Sequence, residues 1–88
     1  ALHFEPHEGE YFVRVRVDGV LRDIEKMKSE ESRGVISAIK VISDMDIAER
    51  RRPQDGTFAM KFGTNKYDVR VASTPTSYGE KLVMRILN

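Results

Sequence analysis

The stretch Tyr11-Phe12-Val13-Arg14-Val15-Arg16-Val17-Asp18-Gly19-Val20-Leu21-Arg22-Asp23-Ile24 decides the fold class. Tyr11, Val13, Val15 and Val17 fall on one side of a period-two pattern; Phe12, Arg14 and Arg16 fall on the other. That alternation predicts a strand with one buried face. Asp18-Gly19 supplies two residues that accept positive φ, so the chain turns tightly. Val20 to Ile24 then returns as the partner strand. The chain is built on a hairpin, and its neighbours are read from there.

Upstream, Leu2 to Pro6 reads as a short strand ended by Pro6, with a turn at His7-Glu8-Gly9-Glu10. Downstream, Val35, Ile36, Ile39, Ile42 and Met45 recur at helical spacing, with Lys40, Ser43 and Asp44 outside the stripe. Ser29 or Ser32 is the expected cap, and Glu30 and Glu31 favour the first turn. The spacing predicts a helix over about 30–44. Pro53-Gln54-Asp55-Gly56 has the composition of a turn. Phe58–Phe62, Tyr67–Ala72 and Gly79–Leu87 follow as strands, with Ser73-Thr74-Pro75-Thr76 breaking the second. The loops among these last three are too short for parallel crossovers. The economical solution is α+β: a largely antiparallel sheet of five to six strands with one main helix on a face.

Composition excludes several classes. The chain has 88 residues, one domain's worth, and no Cys. Disulfides, thiolate metal sites and Cys nucleophiles are ruled out. Lys+Arg is 15 and Asp+Glu 14, for a net charge of +1. That speaks against general nucleic-acid binding, the reading that Arg beside Tyr11, Phe12 and Tyr67 would otherwise prompt. No apolar run approaches a membrane span. Both ends are apolar, the pattern expected of a domain cut from a longer protein. His3 and His7 with Glu5 and Glu8 resemble a metal cluster, but Pro6 interrupts the shared face, so no metal is expected.

No Ser/His/Asp set and no G-x-x-x-x-G-K-[ST] phosphate loop occurs, so the chain alone is not expected to be an enzyme. The arginines are the anomaly. Nine of the fifteen basic residues are Arg, the fork-shaped donor suited to phosphate and carboxylate. Arg14, Arg16 and Arg22 lie on the first hairpin, where cross-strand acids such as Asp23 can pair with them. Arg50-Arg51-Arg52 precedes a turn and suits a solvated loop. Arg70 and Arg85 each interrupt an apolar strand. A hairpin turning near 75–79 places them at similar distances from its loop. Two guanidinium groups on neighbouring strands could clamp one anion; the competing arrangement pairs each with an acid, Glu80 or Asp68.

Seven segments then carry a resemblance: Leu2-His3-Phe4-Glu5-Pro6, Val15 to Arg22, Asp46-Ile47-Ala48-Glu49-Arg50, Pro53-Gln54-Asp55-Gly56, Asp68-Val69-Arg70-Val71, Ser73-Thr74-Pro75-Thr76 and Gly79 to Arg85. In this order, over essentially the whole chain, they resemble the second N-terminal, PAS-like domain of the bacterial type II secretion and type IV pilus assembly ATPases (GspE and PilB). The resemblance implies a regulatory and coupling domain, residues 1–88, of a cytoplasmic homo-hexameric motor. The motor domain, with its phosphate loop, ATP and Mg, would lie elsewhere. The implied partners are the motor domains of its own and neighbouring subunits, and inner-membrane platform proteins, with no nucleic acid and no membrane insertion. Arg70 and Arg85 match family arginines that reach nucleotide phosphates. Arg50, Arg51, Arg52 and Asp55, in the loop ending at Gly56, are read as structural or subunit-contacting. Thr57 stands where the family often has Arg. The reading from a different class is a free-standing PAS-like ligand or protein-interaction module.

Overall fold

The computed structural model describes residues 1–87. In chain order it contains β1 (Leu2–His7), β2 (Glu10–Val17), β3 (Val20–Lys28), α1 (Ser29–Ile42), β4 (Gln54–Phe62), β5 (Asn65–Thr76) and β6 (Gly79–Leu87). All six strands form one antiparallel sheet in the order β3-β2-β1-β6-β5-β4, an α+β fold as expected. Asp18 and Gly19 both take positive φ, 52° and 80°, which sets the tight turn of the first hairpin.

The chain makes two meanders, β1–β3 and β4–β6. The segment between them must travel from one edge of the sheet to the other. Five strand spacings are roughly 24 Å and a 14-residue helix is roughly 21 Å. Helix α1 therefore lies across one face and covers it. Beneath it, Phe4, Tyr11, Val13, Val69, Val71 and Leu82 from the sheet meet Ile36 and Met45.

Several boundaries differ from the sequence reading, each for a local reason. β1 runs through Pro6, and β5 through Pro75. The β1–β6 ladder stops at Phe4 and the β4–β5 ladder at Ser73, so both prolines sit where one side of their strand is free. A missing N–H costs nothing on an open side. β3 continues to Lys28 because Glu10, Tyr11 and Phe12 extend β2 opposite it. The helix starts directly from the strand: Lys28 is the N-cap, with no side-chain cap. Ser32, expected as a cap, instead donates to the Lys28 carbonyl at 3.1 Å. α1 ends at Ile42 because Asp44 takes φ 58°. Its N–H then reaches the Val41 carbonyl, and Met45 N–H reaches Lys40, a Schellman closure that drops Met45 into the core.

Gln54-Asp55-Gly56, expected as a turn, begins β4. The Gln54 amide holds the incoming loop: Nε2 donates to the Asp46 carbonyl and Oε1 accepts from its N–H, both at 2.9 Å. Gly56 lies directly under the segment that leaves α1. A Cβ there would overlap the Ser43 carbonyl and come within 2.9 Å of Met45 Cγ. Gly56→Ala is therefore expected to destabilise the domain by about 3 kcal/mol, since the obstacle is backbone. Gly34→Ala, in α1 with open space around it, is expected to stabilise by about 0.5–1 kcal/mol. Urea midpoints of the two variants, moving in opposite directions, check this.

Candidate functional site

The face of the sheet away from α1 is polar. Val69, Val71 and Ser73 of β5 are buried on the helix side. The intervening Arg70 must project from the other side. The β5–β6 register pairs Arg70 with Arg85, and the β4–β5 register pairs Arg70 with Thr57. The short turn sets that register: Thr76 Oγ1 donates to the Gly79 carbonyl at 2.6 Å and accepts from Tyr78 N–H at 3.2 Å. The two arginines expected to be neighbours are directly opposite each other.

Both are exposed. Among the described residues neither forms an ion pair with an acid. Like charges placed opposite on a sheet repel, so this pair is held together at a cost that an anion would relieve. The arginines, Thr57 and Asp55 line a broad depression of about 840 Å³, with Ser43 and Asp44 from the end of α1.

Neither acid considered for these arginines is used. Asp68 makes no ion pair with Arg70 among the described residues. Glu80 points to the helix side and is held by Lys40, whose ammonium donates to both carboxylate oxygens at 2.9 and 3.0 Å and to the Glu49 carbonyl at 2.9 Å. Lys40, placed outside the helical stripe by the sequence reading, is 1% exposed. The buried face of α1 is Ser32, Ile36 and Lys40, followed by Ser43 at its cap, a rotation of the expected stripe toward polar residues. Tyr11 completes this cluster, its hydroxyl donating to the Glu80 carbonyl at 2.9 Å. Burial, with Glu80 adding to it, pushes that phenol above its ordinary pKa and keeps it a donor.

The Arg50–Arg52 run is exposed. Arg50 faces a second cavity, on the helix side; Arg51 N–H donates to Glu49 Oε1 at 2.8 Å. Asp55 stands apart from them, beside the arginine pair. On the first hairpin Arg14 lies 2.9 Å from Asp23 and 3.5 Å from Glu5, the cross-strand pairing anticipated for it. Arg16 instead donates to the Gly19 carbonyl at 3.0 Å.

His3 packs between Val83 and Arg14 on the open face, with neither ring nitrogen hydrogen-bonded. Burial lowers its pKa from 6.5, against an opposing pull from Glu5 and with lesser help from Lys81, Arg16 and the N-terminus. The folded domain thus disfavours protonated His3, and the unfolded chain binds the proton more readily. Stability is expected to be full above the ordinary histidine pKa and to fall as pH drops below it. Melting temperatures between pH 7.5 and 5 should fall less for His3→Leu than for the native chain.

A family model described as "Type II/IV secretion system protein" matches residues 1–88. A type IV pilus assembly ATPase PilB of Acinetobacter baylyi is 51% identical over 88 residues, which is 99% of this chain and 15% of that relative. A type II secretion system protein E of Klebsiella pneumoniae is 46% identical, covering 99% of this chain and 18% of that relative. Type II secretion system protein HxcR of Pseudomonas aeruginosa is 42% identical, covering 99% and 19%. The chain spans less than a fifth of the length of each. A family match over all 88 residues, with relatives from both secretion and pilus assembly, agrees with the resemblance carried by the seven segments: the chain belongs to the type II/IV secretion system protein family.

Proposed function

We propose that this domain is the nucleotide-sensing and coupling part of an ATP-driven secretion or pilus-assembly motor. The observation that carries the reading is the Arg70–Arg85 pair, opposed in register, exposed and, among the described residues, in no ion pair. Two adjacent guanidinium forks fit the oxygens of a terminal phosphate. In this reading the motor domain, absent from these 88 residues, holds ATP and Mg in a homo-hexamer. Bound nucleotide supplies the phosphate charge. Arg70 and Arg85 bind and orient that phosphate from across a domain or subunit boundary. Loss of the phosphate releases them, and the rigid sheet moves relative to the motor.

Arg51, Arg52 and Asp55 are assigned to contacts with a neighbouring subunit, from the exposed loop and the start of the edge strand β4, whereas Arg50 of the same run faces the second cavity. The assembly works at the cytoplasmic face of the inner membrane through platform proteins. Names of relatives from both systems support this reading and leave secretion and pilus assembly equally served. Replacement of Arg70 and Arg85 in the full-length protein, with ATP hydrolysis as readout, tests it.

A further inference from the structure

A second cavity, of about 370 Å³, lies on the helix side between α1 and the β5–β6 turn. It is separate from the arginine pair, which projects from the opposite face. Its charge does not balance. Lys40 is neutralised by Glu80 through two bonds of 2.9 and 3.0 Å. Arg33 and Arg50 also line the cavity. Both are exposed, and among the described residues neither has an ion pair or a side-chain hydrogen bond. No second acid lines the space, so two positive charges stand uncompensated.

The same cavity presents apolar surface. Tyr78 is 59% exposed and Ile47 49% exposed, and both line it. A volume of this size falls in the range of small-molecule sites and exceeds what a bare phosphate needs.

We propose that this cavity binds a small organic anion: a phosphate or carboxylate group attached to an aromatic or apolar body. Arg33 and Arg50 take the anionic group, and Tyr78 and Ile47 cover the body. The buried Lys40–Glu80 pair forms a rigid base that contributes no net charge. This site does not depend on the nucleotide reading of Arg70 and Arg85.

The test uses phenyl phosphate as probe and the full-length protein, with saturation-transfer NMR as readout. Saturable binding is expected. Arg33→Ala and Arg50→Ala should each weaken it about tenfold, the scale of one charged hydrogen bond. Phenol and inorganic phosphate should each compete at least tenfold more weakly, because each lacks half of the ligand. Arg70→Ala should leave the affinity unchanged, which separates this site from the proposed nucleotide contact. Arg33 and Arg50 are exposed, so the variants should fold, and circular dichroism checks that they do. Absence of saturable binding overturns the proposal. So does an affinity unchanged in the Arg33→Ala/Arg50→Ala double variant, one lost with Arg70→Ala, or equal competition by phosphate alone.

Discussion

Arg70→Ala and Arg85→Ala, made in the full-length protein, are expected to lower ATP hydrolysis about a hundredfold each, the usual effect of removing one preorganised donor from a charged transition state. The fold supplies the reason for the size. The two side chains leave adjacent strands at one register position, so in the proposed role their approach to a phosphate would be set by the sheet, not by a loop. Arg→Lys should recover only part of the rate, because an ammonium keeps the charge and loses the fork. The double variant should fall short of the product of the singles, since both act on one group.

Stability provides the control. Removing one of two opposed like charges should leave the melting temperature unchanged or slightly raised. A rate that falls while the domain melts as before identifies a functional pair. Unchanged hydrolysis in both single variants would remove these residues from the mechanism.

The largest effect on stability should come from Lys40→Met. The ammonium it removes is the partner of Glu80, whose side chain is only 11% exposed. An uncompensated carboxylate left in that position costs about 3–5 kcal/mol. For a domain of this size that is a large share of the total, so partial unfolding at ambient temperature is expected. The double variant Lys40→Met/Glu80→Leu should recover much of the loss, because an apolar pair of similar volume replaces the buried charges together. Urea denaturation of all three proteins measures this. A loss below about 1 kcal/mol for Lys40→Met would show that water reaches the carboxylate.

The sheet was legible because period-two alternation survives in nearly every strand, and because Asp18-Gly19 can turn only one way. The juxtaposition of Arg70 and Arg85 was also legible, since a hairpin equates distances from its turn. What could not be read was the helix orientation. Val35, Ile36, Ile39, Ile42 and Met45 announce an apolar stripe, and Ile36 and Met45 are buried as it implies, but Ile42 is exposed and Lys40 is buried. A lysine reads as solvated until its acid is known. That acid, Glu80, lies 40 residues away on a strand whose pairing decides which way it points. Pro6, Pro75 and the Gln54-Asp55-Gly56 segment were misread for a related reason. Whether a proline or a turn-like composition ends a strand depends on which neighbours the strand has at that point, and only the assembled sheet fixes that.

The junction between the two meanders has a kinetic consequence. They meet through the β1–β6 ladder, Leu2, His3 and Phe4 against Met84, Val83 and Leu82. This is a very short seam joining nearly opposite ends of the sequence. Closing so long a loop for so few pairs is entropically late. Nonlocal β pairing of this kind folds on the millisecond to second scale, roughly. During synthesis each half can assemble from local contacts, but the seam waits for the last strand to leave the ribosome. Until then β1 displays an unpaired edge, the feature most prone to wrong pairing with another nascent chain.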